Sequence, residues 1–271
     1  MPESLDHQVL LSQIIHTEAA YSKLFCKSWE TEGLMRFWDD QIQDMYTHNY
    51  TLIKHNDECL VDLIIKELAL CQKHNKNFLR VESNFPMETK DLLQLNGLPI
   101  KPDITQYDYM LINVDNFKSI KGNLDCHITK ATQPKEISDG IQVDVQANTK
   151  SMGLDFAQRR IARKARLYPS SLPLDFYVCY HQDLPIGKCE LMISKHIAKI
   201  EDFDILPDYQ RKGFGSSMLK HLLRVSNEHG VPYTYLITDH ADTAKEMYQK
   251  CGFEKIGTKT ELFFDLTLHL K

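Results

Sequence analysis

The second half of the chain alternates between two hydrophobic periods. "DFYVCYH", "KCELMIS" and "AKIEDFDI" carry their apolar residues at period two or in short β-branched and aromatic runs, which predicts three strands. The stretch "QDLPIG" between the first two reads as a Pro-Gly turn. From Ser216 to Gly230 the period lengthens: Met218, Leu219, Leu222 and Leu223 fall at i, i+3, i+4 spacing, an amphipathic helix that Gly230 and Pro232 bring to a stop. "VPYTYLIT" then returns to strand character. Thr243 and Glu246 stand at capping-box spacing ahead of a short helix whose apolar face is Ala244, Met247, Tyr248 and Cys251, closed by Gly252. "ELFFDL" supplies a final strand, so the order is β-β-β-α-β-α-β, an α+β pattern with one crossover.

The first half follows the same order more faintly. "KELALCQKHNKNFLRVESN", "DLLQLNG" and "YDYMLINV" succeed one another as "KHLLRVSNEHGVPYTYLITD", "EMYQKCG" and "ELFFDL" do. In the short middle pieces Asp91, Leu92, Leu93, Gln94 and Gly97 align without a gap on Glu246, Met247, Tyr248, Gln249 and Gly252, at a constant offset of 155 residues. This is read as an internal repeat, giving two related domains, 1–135 and 136–271. The joint is expected in "KATQPKEISDG", Lys130 to Gly140, where turn-forming and polar residues interrupt the apolar pattern. Ahead of its helix the first copy has "YTLIKHNDECLVDLIIKEL", without a glycine, and it has Leu93 where the second has Tyr248.

Composition removes several function classes. With 42% hydrophobic and 25% charged residues in 271, the chain can bury a core and is neither disordered nor fibrous. A net charge of -5 argues against nucleic-acid binding through overall basicity. The seven cysteines are odd in number and form no C-x-x-C pair, which suits free thiols in a reducing compartment. Glu3 and Asp6 stand where a secretory signal would carry positive charge, and no apolar run reaches the length of a membrane span, so a cytoplasmic location is expected. The twelve histidines show neither H-E-x-x-H nor a paired ligand spacing, and no metal is expected.

The candidate chemistry lies in "ILPDYQRKGFGSSMLKHLL", Ile205 to Leu223, where two glycines stand between a strand and a helix. A triphosphate P-loop needs G-x-x-x-x-G-K-[ST], and a dinucleotide fingerprint needs a third glycine at position 218, which is Met. Neither fits. Gln210, Arg211, Lys212, Gly213, Phe214 and Gly215 instead match Q/R-x-x-G-x-G/A, which resembles the acetyl-CoA loop of the GNAT (GCN5-related) N-acetyltransferase superfamily. Gly213 and Gly215 let successive amides turn inward, the free N–H groups of the helix starting near Ser216 favour a diphosphate, and Arg211 and Lys212 add charge. Ile205 and Pro207 sit at the family's V-x-P, and "AKEMYQKCGFEKIG" looks like its A-x-x-x-Y-x-k-x-G-F element.

That resemblance, good over Asp175 to Leu266, implies direct acetyl transfer from acetyl-CoA to an amine. It implies two GNAT-like domains, each a mixed, mainly antiparallel sheet flanked by helices, the first degenerate and the second with a splayed strand pair. "IEDFDIL" should splay from "YTYLIT", leaving backbone around Phe203 and Ile205 for the pantetheine arm. Tyr248 would protonate the leaving thiolate; its alternative reading is a plain core aromatic. Glu201 is the candidate base, since period-two alternation places it with Phe203 and Ile205 and sends Asp202 and Asp204 to the other face. A solvated edge carboxylate is the competing reading. Two family positions differ here: Lys199 occupies a site where some members have glutamate, and Ala241 one where many have asparagine, with Asp239 or Asp242 as substitutes.

Two further stretches stand outside the motif. "AQRRIARKARLY" places Arg159, Arg160, Arg163, Lys164 and Arg166 on a predicted helix, read as a solvated face rather than an RNA or acidic-partner patch. "MRFWDDQIQDMYTHNY" interleaves aromatic and acidic residues, as packing or as a substrate wall. The two readings of the whole chain are an N-acetyltransferase acting on a small-molecule or peptide amine, and a non-catalytic acyl-CoA-binding or scaffold protein of the same fold.

Overall fold

The computed structural model describes residues 3–54, 59–241 and 243–267. Along the chain come α1 (Glu3–Phe25), β1 (Lys27–Glu30), β2 (Leu34–Trp38), β3 (Tyr50–Ile53), α2 (Leu60–Lys73), β4 (Phe78–Ser83), α3 (Thr89–Gln94) and β5 (Asp103–Asn113). They are followed by β6 (His127–Lys130), α4 (Pro134–Met152), α5 (Leu154–Ala165), β7 (Leu174–His181), β8 (Leu184–Ile193) and β9 (Ile197–Ile205). The last four are α6 (Phe214–Glu228), β10 (Tyr233–Asp239), α7 (Ala244–Lys250) and β11 (Glu254–Asp265). The α2-β4-α3-β5 order thus recurs as α6-β10-α7-β11.

The chain packs into two compact units that are not consecutive stretches of sequence. An N-terminal unit holds Glu18–Tyr109, Thr238–Asp242 and Gly257–Lys271, and a C-terminal unit holds Met1–Thr17, Met110–Ile237 and Thr243–Ile256. We propose residue 135 as the point in sequence where the first copy of the repeat ends. Residues 110–135 pack in the C-terminal unit. Lys130 to Gly140 is not a loose joint: it closes β6 and opens α4, with Pro134 in the first turn and a capping box between Gln133 and Glu136.

In the N-terminal unit β1 and β2 pair antiparallel, as do β2 and β3; β3 and β4 run parallel; and β4 pairs antiparallel with the end of β11, from Ser83↔Thr260 to Phe78↔Asp265. The apolar faces of α2, β4 and β11 meet in one core that includes Ile64, Val81, Leu262 and Phe264. In the C-terminal unit β6, β7, β8 and β9 form an antiparallel run, and β9 pairs parallel with β10. Met218, Leu219, Leu222 and Leu223, the residues that carry the helical period, are buried in its core with Ile186, Leu191, Ala198 and Leu236.

Two local expectations are corrected. The β7–β8 turn is not Pro-Gly: Gln182 and Asp183 both take positive φ (49° and 64°), the backbone of a two-residue type I′ hairpin, so Pro185 and Gly187 fall inside β8. Thr243 sits at the N-cap of α7 in a helical conformation and makes no side-chain cap bond, so the capping-box spacing there is not used.

Candidate active site

The site is assembled where β9 leaves β10. The parallel register runs from Ile197↔Tyr233 to Lys199↔Tyr235, and no further pair joins the two strands among the described residues. Beyond Lys199, β9 continues to Ile205 paired with β8 alone. That pairing is itself irregular between Lys188 and Glu190, where Asp202 takes φ 51°, a bulge that twists the strand away from its neighbour. The splay expected from the sequence is present, and Phe203 lies beside it with its ring edge-on to Tyr248 at 6.4 Å and 81°. Tyr248, on α7, is 7% exposed and also meets Phe253 edge-on. It is a core aromatic by burial, and its ring neighbours the splayed strand.

The glycine-rich turn follows β9 directly. Pro207–Tyr209 form a single 3-10 turn, Arg211 takes φ 58°, and Gly213 takes φ 85° as the N-cap of α6. A Cβ at Gly213 would stand 3.1 Å from the backbone N of Asn123, so the position is constrained by conformation and by space. Apart from the loose turn over residues 210–213, the amides of residues 211–216 have no well-formed acceptor among the described residues, while Ser217 already bonds to the Gly213 carbonyl at 3.0 Å. A helix start with its amides uncommitted, no side-chain cap and exposed Arg211 and Lys212 beside it is suited to an anion.

The remaining predicted residues divide by what they touch. Gln210 turns back, its Nε2 donating to the Ile205 carbonyl at 2.9 Å, which ties the loop to β9 and engages one of the backbone groups expected to be open. Phe214 is buried against Tyr209 and His181, so its ring anchors the turn. At Gly215 an added Cβ would lie 2.8 Å from Met247 Sδ, so its missing side chain serves the approach of α7 to α6. The Ser216 hydroxyl accepts from Cys251 Sγ at 3.7 Å. Sequence reasoning missed the loop that braces this turn: Asn123 Nδ2 donates to the Lys212 carbonyl at 2.9 Å, and Ser217 Oγ donates to the Asn123 carbonyl at 2.9 Å. Gly122 permits that approach, since a Cβ there would collide with Ser217. The Gly122-Asn123 dipeptide was the available signal.

Electrostatics separates the two faces of β9. Glu201 pairs with Lys199 at 2.7 Å. Burial and the neighbouring Asp202 act to raise its pKa, but the charges of Lys199 and Lys164 and the Lys199 hydrogen bond outweigh them, and the carboxyl sits below its usual range. On the other face lies a buried ionic network. Asp202 bonds to Arg160 through both oxygens at 3.0 Å and contacts Lys164; Asp144 meets Arg160 at 2.5 Å and Lys188 at 2.6 Å; Lys188 also reaches Asp204 at 2.9 Å. The basic run on α5 is therefore not a uniformly solvated face. Ala157, Arg160, Ile161 and Lys164 recur at helical spacing on its inner side, and carboxylates from α4, β8 and β9 meet the two cations there. Among the described residues no group of three or more His, Cys, Asp or Glu is placed to hold a metal.

Residues 173–255 match the acetyltransferase (GNAT) domain family. The likeness to that family lies in the C-terminal part of the chain. It is 27% identical over 249 residues, covering 88% of this chain and 92% of the other, to the uncharacterized N-acetyltransferase CgeE of Bacillus subtilis (strain 168). A GCN5-related N-acetyltransferase from Kribbella flavida superposes with a TM-score of 0.69 at 12% identity over 93% of this chain and 94% of its own. A tandem GNAT protein from the clavulanic acid biosynthesis pathway does so at 0.56 and 10% identity, over 85% and 77%. The GNAT fold thus extends over most of the chain. No helix among the described residues is long and apolar enough to cross a membrane.

Proposed function

We propose that the protein is an N-acetyltransferase that moves an acetyl group from acetyl-CoA to an amine of a small molecule or peptide by direct transfer. One observation carries this reading: the uncommitted amides of residues 211–216, arranged around a left-handed Gly213 at the start of α6. Arg211, Lys212, Gly213, Phe214, Gly215 and Ser216 would hold the diphosphate and the backbone at Phe203 the pantetheine arm, while Gln210 and the Ile205 carbonyl, bonded to each other, would fix the loop against β9. Acetyl-CoA supplies an acyl thioester with a thiolate leaving group. Tyr248 holds a proton on its hydroxyl beside the splay, where a phenol can serve a leaving sulfur. Glu201, ionised and paired to Lys199, draws a cationic acceptor and takes its proton through water. Its lowered pKa makes it a weak base, so orienting the amine is the larger part of that role.

The first copy, within 1–135, would be catalytically silent. α2 starts without a glycine, capped by Cys59, and Leu93 is 61% exposed at the position equivalent to Tyr248. The net charge of -5 suits a cytoplasmic enzyme acting without nucleic acid. Thiol release from acetyl-CoA over a panel of amines tests the assignment. Tyr248→Phe should slow turnover on the order of a hundredfold or more while leaving acetyl-CoA binding within a few-fold. Tight binding with no turnover on any amine would instead select the non-catalytic scaffold reading.

A further inference from the structure

The N-terminal unit has an open cavity of about 590 Å³ between β1, β2, β3, β4 and the C-terminal end of α2, a volume typical of small-molecule sites. Its walls include Trp29, Trp38 and Tyr50. Trp38 belongs to the aromatic and acidic stretch that the sequence offered as either packing or a substrate wall.

Most charges around the cavity are already matched. Arg36 is held by Glu67 through two bonds, Nε–Oε2 at 3.0 Å and Nη2–Oε1 at 2.5 Å, and Glu67 also accepts from Thr51 Oγ1 at 2.7 Å. At the mouth, Lys27 pairs with Asp40 at 2.5 Å. Arg80 bridges Glu82 and Glu261 at 2.5 and 2.7 Å. Lys76 differs. It is 5% exposed, its Nζ has no hydrogen-bond acceptor, and it sits 2.9 Å from the centroid of the Trp38 ring. A ring face offsets part of the cost of burying an ammonium but supplies no lone pair. Burial accordingly pushes its pKa down from the usual lysine value, partly countered by Cys71 and Asp40.

We propose that this cavity is a binding site for a small aromatic monocarboxylate, its carboxylate bonded to Lys76 Nζ and its ring against Trp38, Trp29 and Tyr50. One unmatched cation calls for one negative charge, and the carboxylates of Glu67 and Asp40 nearby disfavour a polyanion such as a diphosphate. The aromatic walls favour a flat apolar body over a sugar or a chain of hydroxyls. This site shares no residue with the acetyl-CoA cradle, and it stands or falls apart from the transferase reading.

The chain has two tryptophans and both line the cavity, so intrinsic fluorescence reports on it directly. Phenylacetate should give a saturable change in emission, confirmed by isothermal titration, while phenylacetamide and phenethylamine should bind at least tenfold more weakly. Lys76→Met should weaken phenylacetate at least tenfold and Lys76→Arg should restore most of it, with thermal stabilisation by acetyl-CoA retained in both. Equal binding of the acid, the amide and the amine would overturn the proposal, as would unchanged affinity in Lys76→Met or no saturable response to phenylacetate.

Discussion

Replacing Gly213 by alanine separates a backbone requirement from a ligand requirement, because Gly230 provides a matched control. Both glycines have positive φ, 85° and 71°, so alanine costs about 1–2 kcal/mol at either site through its Cβ. At Gly230 nothing lies within 4 Å of an added Cβ, whereas at Gly213 it would meet Asn123 N at 3.1 Å and Asn123 Cβ at 3.5 Å. Both variants should lose a few degrees of thermal stability without ligand. In Gly213→Ala the displaced turn should also withdraw at least one amide from the diphosphate, and a hydrogen bond to a charged group is worth roughly 1.5–3 kcal/mol, about 10- to 150-fold in affinity. Acetyl-CoA at a hundred times the wild-type Kd stabilises the native state by about 2.7 kcal/mol. A hundredfold loss of affinity would leave about 0.4 kcal/mol of that at the same concentration. Differential scanning fluorimetry with and without acetyl-CoA resolves the difference. The reasoning fails if Gly213→Ala keeps the full ligand-induced shift, or if Gly230→Ala loses it to the same extent.

The buried network beneath α4 and α5 gives two more predictions. Asp144→Ala removes the fully buried carboxylate that pairs closely with both Arg160 and Lys188, leaving Asp202 as the one they share at 3.0 and 3.6 Å, and urea unfolding should show a loss of about 3–5 kcal/mol. Asp202 is subject to burial, which raises its pKa, but Arg160, Lys164 and Lys188 together hold it well below the carboxylate range. A depressed folded pKa means its contribution is present above the unfolded value near 4 and is lost as pH falls below it toward the folded value. Wild-type stability should therefore drop steeply between about pH 4 and pH 2, and Asp202→Asn, less stable at pH 6, should show a shallower fall over that window, followed by circular dichroism.

Much of the C-terminal unit was legible in the chain. The three-strand run, the helix from Ser216 and the short helix bearing Tyr248 all rest on local periodicity and glycine punctuation, which depend on neighbours three or four residues away. The glycine turn was legible for the same reason: an αL residue before a helix is a local demand, and Gly213 meets it. The inner face of α5 was not, because a basic residue at helical spacing reads as solvated until tertiary packing places Asp144, Glu190 and Asp202 opposite it. The bracing of the turn by Asn123, about ninety residues upstream, is likewise a long-range contact with no local periodicity to announce it. The partition of β11 was beyond the sequence as well. An antiparallel edge can be completed by any strand of suitable pattern, so the apolar alternation of "ELFFDL" specifies a strand and its buried face, but only the folded chain decides that Leu262 and Phe264 are buried beside β4 in the N-terminal unit.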